Sequence, residues 1–89
     1  MATKKEYPDR IEYLNEKGQL HRLDGPAIEF YDGHKEWFIN GRLHREDGPS
    51  IEWNDGDKMW FLNGKGYSEQ EWQDKIIKIK LERLKSYGN

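Results

Sequence analysis

Apolar and polar residues alternate along residues 28–30, and Trp37 and Ile39 lie two apart on either side of Phe38, as is typical of partly buried β-strands. The pairs Asp32-Gly33 and Asn40-Gly41 follow these stretches and favour tight hairpin turns. The same alternation and turn pairs return over residues 51–64. Because side chains alternate across a strand, these stretches predict one common apolar face of Ile28, Phe30, Trp37, Ile39, Ile51, Trp53, Trp60 and Leu62.

The alternation recurs because the chain contains an internal repeat. Residues 18–40 and 41–63 align without gaps over 23 positions, and 15 of the 23 residues are identical. Weaker similarity extends over residues 1–17, which we interpret as a degenerate half-repeat, while residues 64–89 begin a truncated third copy. We therefore predict a single domain over residues 1–89, a meander of about five strands whose first strand lies near residues 10–15.

The hydrophobic period changes after residue 67, and an amphipathic helix is predicted from there. Ser68 and Glu71 have the spacing of a capping box, so we expect the helix over residues 69–86, with Gly88 as its stop. Two apolar stripes lie about 140° apart on this helix. The first consists of Trp72, Ile76 and Ile79, and the second of Ile77, Leu81 and Leu84. We expect the first stripe to cap the sheet, with Trp72 and Ile76 in the core, and the second is a candidate for self-association.

The predicted fold class is mostly β with one helix: a meander of stacked antiparallel hairpin repeats, capped by one C-terminal amphipathic helix. Repeat units of this kind bury their apolar faces only against neighbours, so the last unit needs a cap. Hydrophobic residues make up 34% of the chain and charged residues 36%, which is a composition typical of disorder. Four Trp, five Tyr and three Phe nevertheless favour a packed core.

The charge balance and residue usage exclude several classes of protein. A net charge of −2 does not indicate a basic nucleic-acid binder, and the absence of cysteine excludes disulfides and thiolate metal sites. No apolar run has the roughly 20 residues of a membrane span, and the N-terminus does not resemble a signal peptide. We therefore expect a cytoplasmic protein that uses no membrane and no cofactor.

One polar motif, His-Arg-x-Asp-Gly-Pro, occurs twice. Its two copies contain the candidate ligand- or partner-binding residues His21, Arg22, Asp24, His44, Arg45 and Asp47. Stacked copies present rows of imidazole and guanidinium groups that suit an anionic ligand. The structural alternative, which we favour, is that each Asp accepts hydrogen bonds from backbone N–H groups of a turn, each Arg pairs with an Asp of its own or the neighbouring repeat, and each His bonds a backbone carbonyl. The spacing does not favour a metal site, and no catalytic constellation or phosphate-binding loop is present.

The two units, HRLDGPAIEFYDGHKEWFING and HREDGPSIEWNDGDKMWFLNG, resemble the MORN-like repeat variants built on H-R-x-D-G-P-A, D-G-x-K-x-W and N-G. The resemblance covers about residues 18–72. Ser50 departs from the small Ala of the motif, and the third copy lacks the His-Arg pair. Such repeats occur in bacteriophage, giant-virus and bacterial proteins. The resemblance implies stacked hairpins and an interaction role with no catalytic activity.

These observations favour a non-enzymatic protein-binding module. The resemblance implies a small phage or viral accessory protein that binds a host protein in the host cytoplasm and inhibits or adapts it. One alternative is a protein that sequesters a nucleotide or another anion through the His-Arg rows. A second alternative is a homodimeric assembly part held by the helix. We expect a protein partner, and we do not expect nucleic acid.

Two charged regions leave further alternatives open. A weaker hypothesis is that acidic residues mimic the charge of nucleic acid, namely Asp32, Asp55, Asp57, Glu29, Glu36 and Glu52. The helix is basic toward its C-terminus, where Lys75, Lys78, Lys80, Arg83 and Lys85 lie close together. We interpret this region as a solvated helix face, and contact with an acidic protein or nucleic acid is the alternative.

Overall fold

The computed structural model describes residues 3–87, which form nine short strands followed by one helix. The strands are β1 (Thr3–Glu6), β2 (Arg10–Leu14), β3 (Ile28–Phe30), β4 (Lys35–Glu36), β5 (Phe38–Ile39), β6 (Arg42–Leu43), β7 (Ile51–Glu52), β8 (Lys58–Leu62) and β9 (Lys65–Tyr67). The helix is α1 (Glu69–Tyr87). The predicted helix stop, Gly88, lies outside the described residues.

The strands form an antiparallel meander, as predicted. Seven of them follow the order β1-β2-β3-β4-β7-β8-β9, and β5 and β6 form a separate pair. The principal extents of 49 × 31 × 17 Å describe an elongated stack. The fold class of a hairpin meander with one C-terminal helix is therefore confirmed.

The predicted number of about five strands was wrong. The Asn-Gly turns do not end the repeat units, because each turn leads into a further strand, β6 or β9, that pairs back on the preceding one. Asn40 and Asn63 have φ of 49° and 52°, and the glycines after them also have positive φ. Two successive residues with positive φ are the requirement of a type I′ hairpin turn. Strand β1 was also missed, because its sequence TKKE has no apolar alternation.

The strand predicted through Trp37 changes partner in its middle. Residues 35–36 pair with β3 and β7, whereas residues 38–39 pair with β6. Between them, the Trp37 N–H donates to the Ser50 carbonyl and the Trp37 carbonyl accepts from the His44 N–H. The backbone groups of Trp37 are thus bonded on both sides of the chain, and the regular alternation of faces does not continue through this residue.

The predicted core was correct in part. The buried hydrophobic side chains include Ile28, Ile51, Leu62, Trp72 and Ile76, each at most 8% exposed. The other predicted core residues, Phe30, Trp37, Ile39, Trp53 and Trp60, are only partly buried. The helix packs on β8 and β9. The apolar face predicted from alternation is therefore buried at Ile28, Ile51 and Leu62, and its cluster with the helix forms at the last hairpin.

Two small residues that the sequence interpretation left out of the core are fully buried. Ala27 and Ser50 occupy equivalent positions of the two repeats and have no exposed surface. The Ser50 hydroxyl donates to the Phe61 carbonyl at 2.9 Å and accepts from the Phe61 N–H at 3.2 Å. Both hydrogen-bonding roles of the hydroxyl are thereby satisfied, which is the condition for burying it at little cost.

The predicted capping box starts helix α1. The Glu71 N–H donates to the Ser68 hydroxyl oxygen at 3.2 Å, and the Ser68 N–H donates to the Glu71 carboxylate at 3.0 Å. The hydrogen bonds with Ser68 lower the pKa of the Glu71 carboxyl below its ordinary value. One turn into the helix, Trp72 and Ile76 pack with Leu62 in the main hydrophobic cluster. The first apolar stripe therefore caps the sheet, as predicted.

Candidate interaction surface

The two His-Arg-x-Asp-Gly-Pro motifs form the same hydrogen-bond network. The Arg22 Nε–H donates to Asp24 at 3.0 Å, and Nη1 donates to the Pro26 carbonyl at 3.2 Å and to Glu29 at 2.7 Å. In the second repeat, Arg45 makes the equivalent bonds at 2.8, 3.1 and 3.0 Å with Asp47, Pro49 and Glu52. Each guanidinium therefore joins two residues of its own loop to a glutamate on the strand that follows.

Each guanidinium also lies between an aromatic ring and a glycine. The Arg22 Cζ lies 4.0 Å from the ring centroid of Tyr13, and the Arg45 Cζ lies 3.8 Å from that of Trp37. A Cβ atom added to Gly25 would lie 3.1 Å from the Arg22 Cζ, and the matching distance at Gly48 is 2.8 Å. The close approach of the arginine therefore favours a residue without a Cβ at this position of the motif, more strongly at Gly48 than at Gly25.

The histidines of the motif support the Asn-Gly turns. The Asn40 N–H donates to the His21 Nδ1 at 2.9 Å, and the Asn63 N–H donates to the His44 Nδ1 at 3.0 Å. The expectation that each His bonds a carbonyl was wrong for Nδ1, which accepts from a backbone N–H instead. Because Nδ1 accepts this hydrogen bond, the proton of the neutral ring lies on Nε2.

The second motif differs from the first in its attachment to the helix. The His44 Nε2 lies 3.0 Å from the Glu46 carboxylate, and the Arg83 guanidinium contacts both oxygens of that carboxylate at 2.9 and 2.7 Å. The bonds from Arg83 and then from His44 lower the pKa of the Glu46 carboxyl. The equivalent residue of the first repeat is Leu23, which is 82% exposed. Residue 46 is therefore the position at which the second repeat engages the cap.

The helix continues the repeat pattern with a different residue. Trp60 is the equivalent of Trp37 one repeat later, and Ser68 stands where the next arginine would be. The Trp72 ring takes the place of that guanidinium, with its centroid 4.7 Å from that of Trp60. The Trp72 indole N–H donates to the Arg45 carbonyl at 3.0 Å. Sequence reasoning missed this substitution, although the missing Arg and the added Trp are both visible in the repeat alignment.

Two open grooves follow the motif loops. One, of about 820 Å³, is lined by His21, Arg22, Asp24 and the asparagine turns, and the other, of about 730 Å³, lies between the two motif loops. The second groove has Trp37 and Ile39 among its lining residues, and Lys80 of the helix borders it. The structure thus brings the six predicted motif residues to one side of the stack, but their charged groups are engaged within the protein.

Several carboxylates proposed as a nucleic-acid mimic are also engaged. Glu29 and Glu52 pair with the motif arginines, and Glu36 lies 2.8 Å from the Nε2 of His34. Asp32 accepts from the His34 N–H and from the Asn54 side chain, which ties adjacent hairpin turns together. These four carboxylates, among the six on which that hypothesis depended, are therefore bonded to other groups of the protein.

The second stripe of the helix is the uncovered apolar surface. Ile77, Leu81 and Leu84 are 58%, 54% and 66% exposed, whereas Ile76 on the packed side is 6% exposed. The stripe is therefore not covered by the sheet. These three residues do not line the grooves of the motif loops. Lys80 of the same helix does line the second groove, together with residues of both motifs.

Comparison of the chain with family models, curated proteins and solved structures found no match. The resemblance to MORN-like repeats therefore remains a prediction. Across the described residues, no cluster of three or more potential metal ligands is found. In the same part of the chain, no helix has the length and apolar character needed to cross a membrane.

Proposed function

We propose that this protein is a non-enzymatic protein-binding module whose contact surface is the exposed helix stripe of Ile77, Leu81 and Leu84. The observation that carries the proposal is the exposure of these three aliphatic side chains on a helix that is already anchored by its opposite face. Aliphatic residues at spacings i, i+4 and i+7 are the anchors used in helix-mediated recognition. Large aliphatic groups that stay exposed together in a monomer mark interaction sites.

The contacts of the motif arginines favour the helix stripe over the motif loops as the binding surface, because these arginines are already bonded within the protein. Arg22 and Arg45 each make two carboxylate contacts and one carbonyl contact, so much of the charge and hydrogen-bonding capacity of each guanidinium is already used within the fold. Sequestration of a nucleotide through the His-Arg rows therefore gains no support from the geometry. The viral accessory role and the cytoplasmic location remain predictions from the sequence.

The test is capture of partners from bacterial cell extracts by the immobilised full chain, followed by mass-spectrometric identification. We expect a protein that is retained by the unmodified chain and lost with Ile77→Asp or Leu81→Asp. Tyr31→Asp is the matched control, because Tyr31 is a large side chain that is 63% exposed on a distant hairpin turn. Equal recovery by all variants would contradict the proposal, as would repeated failure to recover any partner.

A further inference from the structure

The charges of the chain are strongly segregated. Residues 75–85 contain five of the 15 basic residues and one of the 17 acidic residues, so this segment has a formal charge of +4 and the rest of the chain −6. The two charges sum to the small net charge of −2. The uncovered stripe lies within the basic segment.

Lysines border the stripe on both sides. At about 100° per residue, Lys80 lies on the side of the stripe nearer the sheet, and Lys78 and Lys85 lie on the far side. All three are exposed. Among the described residues, the salt bridge from this segment to another element is that of Arg83 with Glu46, and Glu82 of the segment has a partner of its own. The stripe is therefore an apolar ridge bordered by one lysine on the side nearer the sheet and by two on the far side, where Glu82 lies next to them.

This charge pattern selects among possible occupants. In a symmetric dimer through the stripe, two segments of charge +4 would face each other, which is unfavourable. A partner surface with aliphatic groups between carboxylates would pack on the three aliphatic residues and pair with the lysines beside them.

We infer that the stripe binds an acidic amphipathic helix of a partner protein. This inference rests on the proposed function and names its partner chemistry. Leucine-like side chains of the partner pack on Ile77, Leu81 and Leu84, and carboxylates on either side of them reach Lys78, Lys80 and Lys85. Ile77 and Leu84 lie three residues before and four after Lys80, so the docked helix lies beside the groove between the two motif loops.

The probe is a pair of fluorescent amphipathic helical peptides with the same leucine positions, one flanked by glutamates and the other by lysines. Fluorescence anisotropy measures their binding to the full chain. We expect the acidic peptide to bind more than about tenfold tighter than the basic one, and its affinity to fall as salt rises. Equal binding of the two peptides, or binding of neither, would overturn the inference.

Charge-reversed variants locate the interaction. The triple variant Lys78→Glu, Lys80→Glu, Lys85→Glu should weaken binding of the acidic peptide about tenfold, the combined effect of three exposed charge pairs. Lys75→Glu is the matched control, because Lys75 lies on the same helix but faces Tyr67, 5.9 Å from that ring. An equal loss with Lys75→Glu would contradict the assignment to the stripe.

Two further measurements exclude other occupants. Light scattering of the unmodified chain should give a monomer, and a dimer that Leu81→Asp dissociates would overturn the inference in favour of a second copy. Tighter binding to vesicles of phosphatidylcholine and phosphatidylserine than to the acidic peptide would overturn it in favour of a membrane surface.

The outcomes separate the inference from the proposed function. A captured partner that is lost with Leu81→Asp but retained by the triple lysine variant, at any salt concentration, would leave the proposed function standing and refute the acidic partner. A captured partner that is indifferent to Leu81→Asp would refute both.

Discussion

Gly48 illustrates how strongly single residues are constrained in this fold. A Cβ atom there would lie 2.8 Å from the Cζ of Arg45, whose guanidinium is held by Asp47 and Glu52 and lies over Trp37. Other arginines could move away from an added methyl group by rotating a side chain. Arg45 can do so only by giving up these contacts.

We therefore expect Gly48→Ala to lower the free energy of unfolding by about 1–3 kcal/mol, which is the range for overpacking. Urea denaturation measures this change. The control is the double variant with Arg45→Ala, in which the added methyl group no longer meets a guanidinium. The cost of Gly48→Ala should then largely disappear. An unchanged cost in the Arg45→Ala background would show that the arginine is not its cause.

At the residue scale, the sequence predicted the motif chemistry better than its geometry. Its repetition favoured a structural role for Arg22 and Arg45, and the two identical sets of hydrogen bonds agree with that interpretation. The acceptor role of the His21 Nδ1 could not be predicted, because its donor, Asn40, lies 19 residues away. Only the folded turn brings that N–H to the ring.

At the scale of elements, the attachment of the helix depends on Glu46 and Trp72. The Glu46 carboxylate joins His44 of the loop to Arg83 of the helix. Its carboxyl has a lower pKa in the folded protein than in the unfolded chain, so the ionised form stabilises folding. This contribution is present above the unfolded pKa of about 4.3 and is lost as the pH falls through the lower folded value.

We expect the free energy of unfolding to fall between neutral pH and about pH 3, and Glu46→Gln to reduce that fall. The variant should also be less stable than the unmodified chain at neutral pH. Denaturant titrations at several pH values measure both effects. Glu69→Gln removes an exposed carboxylate from helix α1 and serves as the control. An acid-induced loss of the same size in Glu46→Gln would contradict the role of this carboxylate.

The Trp72 indole is the second attachment. Trp72→Phe keeps an apolar ring on Leu62 but removes the donor to the Arg45 carbonyl, and we expect a loss of about 1–2 kcal/mol. Thermal and urea unfolding measure it. Trp53→Phe, at a half-buried position on a hairpin, should cost less. Equal losses at the two positions would indicate that the hydrogen bond contributes nothing.

At the scale of the whole molecule, the structure is a stack in which each unit contacts its neighbours. The Asn54 side chain donates to Asp32, and the second motif contacts both the preceding strand and the helix. Stacks of this kind accept additional units, because a new unit makes the same contacts as the old ones.

We expect a chain with a second copy of residues 41–63 inserted after Asn63 to fold cooperatively. The slope of its unfolding free energy against urea concentration should be about a quarter steeper, because the inserted residues add about a quarter to the surface exposed on unfolding. Its melting temperature should also rise. The new junction repeats the natural Asn-Gly turn. Two separate unfolding transitions, or an unchanged urea dependence, would show that the units do not stack as interchangeable parts.

The sequence alone determined the repeat, its hairpin turns, the capping box and the division of the helix into two stripes. These features depend on residues close together in the chain, where the period of side chains and the chemistry of Asn-Gly turns are decisive. Long-range contacts settled the remainder. Four features depend on contacts between residues that are distant in the sequence: the change of strand partner at Trp37, the burial of Ser50, the ion pair of Arg83 with Glu46, and the packing of Trp72 on Trp60. The exposure of the second stripe was likewise decided only when the helix packed on the last hairpin.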